Sequence, residues 1–348
     1  MIVVLADDLT GAAELAAVAS RHGLSAEVQT SFHAATDAEV VCLDTDTRLL
    51  PEAKAAAVAE ATTHEVLAAR PAWIFKKCDS ILRGSVKAEA RATARAAGLP
   101  RVLVLSANPS RGRVVRNGRY FIGHQALHET EFAHDPLHPR KSSSLASLLG
   151  GDLDGIATPD ANTVEDVLAQ ARNLQPDTLP VGAADLFAAL LSVRVPRAER
   201  SAPATFAPGP VLLACGSALA WPTRRRTSPS VPAFPLPHDY PAVTKALQTH
   251  GRALLGVGDG EAGKSPGELS ARMAESVVRI LQETPVGCLL IEGGATGAAI
   301  LLSLGWNRLQ VSGTSADVAV LHPAGRAGPQ ICLKPGSYPW PESLWPTK

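Results

Sequence analysis

Short apolar runs recur along the chain, each followed at once by a polar loop and then by a stretch with helical spacing. The runs at 2–6, 40–43, 73–75 and 102–105 are too short for helices and show no polar alternation, so they predict strands buried on both faces. Helical patterns at 12–21, 51–69 and 85–97 separate them, and Gly23 stands where a C-cap belongs. Such alternation predicts a mainly parallel sheet flanked by helices. The rhythm breaks at 113–132, where Asn117-Gly118 between apolar flanks predicts an antiparallel excursion. A Ser- and Gly-rich stretch at 141–151 reads as a helix edge and loop. Helices are expected over 163–173 and 183–192.

Pro196, Pro203, Pro208 and Pro210, with Ser, Ala and Gly between them, read as a linker. The alternation then restarts, with strands expected at 211–214, 253–257, 288–291 and 330–333 and helices at 269–282 and 297–304. The fold class is therefore α/β in two domains, 1–200 and 201–348, each a mainly parallel sheet flanked by helices. A length of 348 residues agrees, being more than one core usually supports.

Aromatic residues make up only 4% of the chain, so the core must rest on Ala, Val and Leu. Lys plus Arg and Asp plus Glu both number 33, which gives no support to nucleic acid or a membrane surface as partner. Arg224-Arg225-Arg226 is the one tight basic run and reads as a solvated turn or an anion contact. No apolar stretch reaches membrane-spanning length, and the N-terminus has no signal-peptide pattern. Five widely spaced cysteines with no CxxC pair predict reduced, buried thiols and a cytoplasmic protein.

In open α/β sheets ligands bind beyond the carboxyl ends of the strands, so the loops there carry the candidate chemistry. Asp7-Asp8-Leu9-Thr10-Gly11 follows the first strand. Its carboxylates can hold sugar hydroxyls, bind a hydrated metal, accept a proton, or simply cap the next helix. The densest set is Lys76-Lys77-Cys78-Asp79-Ser80-Ile81-Leu82-Arg83-Gly84. Arg83 there can grip a carboxylate bidentately, Lys77 can add a point charge, and Asp79 can accept a hydroxyl proton. A salt-bridged strand end is the bland alternative. Arg113 beside Gly112 suits an anionic substrate.

In the second half, Glu292-Gly293-Gly294-Ala295-Thr296-Gly297 joins a strand to a helix, and its backbone N–H groups suit phosphate. Cys215-Gly216-Ser217 is a second such turn, and Lys334-Pro335-Gly336 can add a charge. Residues 258–265, from Gly258 to Lys264 and Ser265, fit the P-loop spacing. Against a P-loop, Asp259 and Glu261 are acidic, and Pro266 and Gly267 stand where the helix should already run. His124, His128, His134 and His138 do not carry a convincing metal site, because the hairpin signal and Pro136 deny them one helix face.

These residues together resemble the four-carbon acid sugar kinase family. The resemblance rests on Ala6-Asp7-Asp8-Leu9-Thr10-Gly11-Ala12, the 76–84 segment, Gly112-Arg113, Asn117-Gly118, Glu129-Thr130 and Asp135-Pro136. Gly216-Ser217, Gly293-Gly294-Ala295-Thr296 and Lys334-Pro335-Gly336 match more loosely. The resemblance implies ATP-dependent phosphorylation of threonate, erythronate or an oxo-tetronate at the terminal hydroxyl. The first domain would hold the sugar acid and the second ATP, with Mg²⁺ bridging phosphate oxygens. Asp7 or Asp8 would orient or deprotonate the attacking hydroxyl, with Asp79 as a third catalytic candidate. Lys77 and Arg83 would hold the substrate carboxylate, with Thr10, Ser80, Gly84 and Arg113 nearby. Gly216, Ser217, Gly258, Gly293, Gly294, Thr296, Lys334 and Gly336 would line the nucleotide. No protein metal ligand is expected. The partners are small molecules, with a homodimer left open. Ala295 stands where the family usually has an acidic residue, which keeps a second reading, a regulator that binds a sugar acid without turnover. A P-loop NTPase using Lys264 is the third.

Overall fold

The computed structural model describes the chain except residues 136–137, 196–204, 219, 259–262, 317, 335–339 and 346–348. The proline-rich segment expected as a linker therefore lies partly outside the described residues. The chain divides into two compact units, Met1–Ser25 with Ser31–Arg200, and Ala26–Thr30 with Ser201–Lys348.

The first unit opens with β1 (Ile2–Ala6) and α1 (Leu9–Arg21). The next strand, β2 (Ala26–Gln29), belongs to the second unit. The first unit continues with β3 (Val40–Asp44), α2 (Glu52–Ala68), β4 (Trp73–Lys77), α3 (Val86–Ala96) and β5 (Arg101–Leu105). An antiparallel excursion follows: β6 (Arg113–Arg116), β7 (Arg119–Ile122) and β8 (Gln125–Ala126). Its turn is Asn117-Gly118, both with positive φ (51° and 66°), the two-residue hairpin geometry that Asn-Gly favours. The short α4 (Leu145–Leu148), β9 (Ile156–Ala157), α5 (Val164–Asn173), β10 (Thr178–Gly182) and α6 (Ala184–Arg194) complete the unit.

The main sheet of this unit runs β3-β1-β4-β10-β5-β9, and every pair in it is parallel. Helices α2 and α3 pack on each other, while α6 packs on both α1 and α5. Small residues allow α1 its close approach: Ala12, Ala13, Ala16, Ala17 and Ala19 are all buried. The few aromatics are concentrated, with Phe187 5.1 Å from Phe75 and 5.9 Å from Trp73 between ring centres.

The second unit contains β11 (Val211–Cys215), α7 (Trp221–Thr227), β12 (Ala233–Pro235), α8 (Tyr240–His250), β13 (Arg252–Gly256) and α9 (Pro266–Glu283). Then come β14 (Cys288–Glu292), α10 (Gly294–Leu304), β15 (Arg308–Ser315), β16 (Val318–Pro323) and β17 (Gln330–Lys334). The order is β12-β13-β11-β14-β17-β16-β15-β2. The first five strands are parallel and the last three antiparallel. Its core adds Trp221, Trp340 and Trp345 to the aliphatic residues. The antiparallel edge was not expected from the apolar pattern, nor were the strands β2, β10 and β12.

Candidate active site

In the first unit β1 and β4 are neighbours, yet the chain leaves β1 toward β3 on one side and leaves β4 toward β5 on the other. This is a topological switch point, where the loops after two adjacent strands part and leave room for a ligand. The loops in question are Asp7–Gly11 and 78–84, the two polar segments singled out in the sequence.

The residue that ties them together is Arg48, four positions past the end of β3. Its guanidinium bonds both oxygens of Asp7, Nε to Oδ2 at 2.8 Å and Nη2 to Oδ1 at 2.9 Å. It also reaches both oxygens of Asp8, at 2.8 and 2.7 Å, and stands 3.8 Å from Asp79. Asp8 is the N-cap of α1: its Oδ1 accepts from the Gly11 N–H at 2.9 Å and its Oδ2 from the Thr10 hydroxyl at 2.6 Å. Thr10 is thus a support for Asp8. The capping expectation and the site expectation fall on the same side chain.

Asp79 accepts a fork from Arg83, at 3.0 and 2.9 Å, and backbone N–H bonds from Ile81 and Arg83. Burial alone would push its carboxyl up, but Arg83 and Arg48 outweigh this and hold it well below the usual carboxylate range. The same balance, led by burial and reversed by Arg48, lowers Asp7. Both carboxylates are thus engaged in ion pairs. Asp8 is the more exposed member of the adjacent pair. Asp44, at the end of β3, goes the other way: burial, with Asp8, Asp46 and Asp7 close by, raises its carboxyl well above the ordinary value.

The cations divide in the same manner. Lys77 donates to the Cys78 carbonyl at 2.8 Å and lies 3.4 Å from Glu14 of α1. Lys76 is turned away to Glu89 of α3, at 2.8 Å, where the Thr47 hydroxyl also donates. Arg83 is the more exposed arginine, and its remaining nitrogen points toward Asp135 at 3.5 Å. Arg113 donates to the Ser80 hydroxyl. Gly84 has φ +81°, and a β-carbon there would lie 3.2 Å from the Arg48 carbonyl oxygen. Its role is to let the backbone pass Arg48, so direct substrate contact is not needed to account for it.

Arg48, Glu14 and Asp44 were absent from the sequence-based set, and Asp135 was named there without a role in the site. A signal for Arg48 and Asp44 existed: Asp44-Thr45-Asp46-Thr47-Arg48 is another polar run directly after a buried strand.

The second unit repeats the switch-point arrangement. β11 and β14 are adjacent, and their loops carry Gly216-Ser217 and 293–296. Register pairs Cys215 with Gly256 and with Glu292, and Glu292 with Lys334, so four strand ends form one row. Glu292 is fully buried. It accepts two bonds from Arg224 Nε, at 3.1 and 2.9 Å, one from Arg224 Nη2 at 2.8 Å, one from Lys334 Nζ at 2.9 Å and one from Trp340 Nε1 at 3.3 Å. Arg224 is therefore a buried partner of Glu292, not part of a solvated turn. Burial, against the pull of Glu292, lowers the Lys334 ammonium to about 8. Ser217 starts α7 by accepting from the Ala220 N–H at 3.2 Å. Gly293 is the N-cap of α10 and donates to the Lys334 carbonyl, while Gly294 and Thr296 lie in the first turn and Ala295 is exposed there. Gly258 packs on Pro235. Pro335 and Gly336 lie outside the described residues.

Residues 259–262 of the P-loop spacing, with Asp259 and Glu261, lie outside the described residues. Ser265 is the N-cap of α9, locked in a capping box with Glu268, and Pro266 is the first helical residue. Pro266 thus begins the helix without breaking it, which corrects the objection raised from it. A P-loop would need Lys264 and Ser265 within the helix facing phosphate, and here Lys264 precedes the cap.

Among the described residues no group of three or more His, Cys, Asp or Glu side chains is placed to hold a metal ion, and no helix is long and apolar enough to cross a membrane.

Residues 2–188 match the family model described as a sugar-binding N-terminal domain. A D-threonate kinase of Bordetella bronchiseptica is 37% identical over 157 residues, 43% of this chain and 39% of that protein. A 3-oxo-tetronate kinase of Burkholderia multivorans is 29% identical over 199 residues, 55% of this chain and 43% of that protein. The matched region thus spans about two-fifths of the length of these relatives. A Haemophilus influenzae protein of the DUF1537 family superposes with a TM-score of 0.72 at 17% identity, covering 96% of both chains, a likeness of fold. With the sugar-binding model covering more than half of the sequence, the chain belongs to the four-carbon acid sugar kinase family.

Proposed function

We propose that this protein transfers the terminal phosphoryl group of ATP to a hydroxyl of a four-carbon sugar acid. The observation that carries the reading is the cluster at the β1/β4 switch point, where the carboxylates of Asp7, Asp8 and Asp79 are held by Arg48 and Arg83. A sugar acid presents one carboxylate and several hydroxyls. Arg83, with Lys77 behind it, suits the carboxylate, and Asp8 suits a hydroxyl. Asp7 and Asp79 serve as anchors that fix Arg48 and Arg83. With two carboxylates made poor bases, catalysis rests on positioning and charge stabilisation, as phosphoryl transfer allows.

The second unit supports nucleotide binding through the first turn of α10, whose N–H groups suit a phosphate, and through Lys334 in the same row of strand ends. Glu292 is saturated by protein donors and cannot ligate a metal. Mg²⁺ would enter with ATP and would supply charge neutralisation there. Calorimetric titration of the full chain with Mg–ATP and with D-threonate, D-erythronate and 3-oxo-tetronates tests the reading, followed by a coupled assay. Binding of both classes and turnover with one acid is the expected result. The exposed Ala295 favours the regulator reading instead if a sugar acid binds and Mg–ATP does not. Replacement Lys264→Ala should leave ATP binding within about twofold, a change worth less than one ordinary hydrogen bond; its abolition would revive the P-loop reading.

A further inference from the structure

Away from the strand-end cluster, the β6–β7 hairpin and the segment leading into α4 line an open cavity of about 610 Å³. Its walls include Arg119, Lys141 and His128 with the hydroxyls of Ser142, Ser144 and Thr158, and no lining residue is acidic. It shares no lining residue with the switch-point site. That volume falls within the range of small-molecule sites.

The cations here differ from those elsewhere in the unit. Arg48, Arg83, Arg91, Arg95 and Arg101 each face a carboxylate. The Arg119 stem is fixed by a bond from Nε to the buried Ser143 hydroxyl at 3.2 Å, and neither Arg119 nor Lys141 has a carboxylate partner among the described residues. His128 Nδ1 is buried without a hydrogen-bond partner, while its Nε2 lies 3.9 Å from Glu129. Asp160, at the hairpin turn, accepts from the Asn117 and Gly118 N–H groups at 2.6 and 2.9 Å. Two cations without a carboxylate partner among the described residues thus line one space together with serine and threonine side chains.

We propose that this cavity is an accessory binding site for a small phosphate monoester carried on a polyhydroxylated carbon chain. A planar guanidinium held by its Nε keeps two nitrogens for a phosphate oxygen pair, and lysine adds charge. The hydroxyl lining suits a polyol body, for which the volume exceeds the need of phosphate alone.

The test is calorimetric titration of the full chain with glycerol 3-phosphate, inorganic phosphate and glycerol, on the natural sequence and on Arg119→Gln, Lys141→Gln and the double variant. Glycerol 3-phosphate should bind saturably, more tightly than inorganic phosphate, with glycerol silent. Each replacement should weaken the ester by about tenfold, the loss of one charge-assisted hydrogen bond, and leave Mg–ATP binding unchanged. Lys141 is exposed, so its variant remains informative if changes at Arg119 disturb the hairpin. Absence of saturable ester binding, equal affinity for inorganic phosphate, or undiminished ester affinity in Lys141→Gln would each overturn the proposal.

Discussion

Arg48 closes on Asp7 with two parallel hydrogen bonds, and with its outer nitrogens it holds Asp8 as well. One guanidinium thus compensates two adjacent carboxylates, both largely withdrawn from water. Taking it away leaves buried charge without a partner. Arg48→Ala is expected to cost about 3–5 kcal/mol of unfolding free energy, measured by urea denaturation, and to abolish sugar-acid binding. Arg48→Lys keeps the charge but not the fork, so it should recover part of the stability and little of the binding.

Asp44 supplies a test of opposite sign. Its folded-state carboxyl titrates well above its unfolded one. The stability linked to it is present below the unfolded value, about pH 4, and is lost as pH rises through the folded value. Asp44→Asn keeps the oxygen that accepts from the Asp46 N–H at 2.9 Å and removes the titration. The variant should therefore gain on the natural protein as pH rises, with urea midpoints closest in acid and furthest apart in alkali. Equal midpoints throughout would contradict the raised carboxyl.

Lys334 loses its proton near pH 8, so its charge fades just above neutrality. If that charge faces nucleotide phosphate, Mg–ATP affinity should fall as pH rises through about 8. Arg remains protonated throughout this range, so Lys334→Arg should flatten the decline. Titration calorimetry across the alkaline range reads both curves.

Gly216 is closed to any side chain, since a β-carbon there would collide with the Thr296 side chain. Gly216→Ala should destabilise the second unit by about 1–3 kcal/mol, as overpacking does, and weaken nucleotide binding. Adding Thr296→Ala removes the clash and should restore stability in thermal unfolding, whether or not nucleotide binding returns.

Most parallel strands were legible because both faces are buried and their residues are apolar, whereas β12 is short and only partly buried. β10 was not, because Pro180 breaks the strand signal; its ladder with β4 begins only after the proline, at Val181. β2 was missed for a different reason. Its Glu27 and Gln29 look like surface positions, yet both are buried, and Glu27 is bonded by Arg308 at 2.6 and 3.0 Å. A partner 281 residues away leaves no local trace. Arg48 was hidden likewise: its carboxylates lie about forty positions upstream. Motif reading found the loops at each switch point but not the cation that joins them, because ion pairing depends on the folded path of the chain.

The path of β2 sets a limit on how this molecule can be divided. Residues 26–30 belong to the second unit and pair with its β15 through Glu27, Val28 and Gln29, although the chain before and after them builds the first. No single cut in the polypeptide can release both units whole. A fragment ending near residue 200 carries β2 away with it, and the complementary fragment loses the strand that covers the outer edge of β15. The second half is therefore not a portable cassette, and swapping it between relatives requires the short N-terminal segment to travel with it.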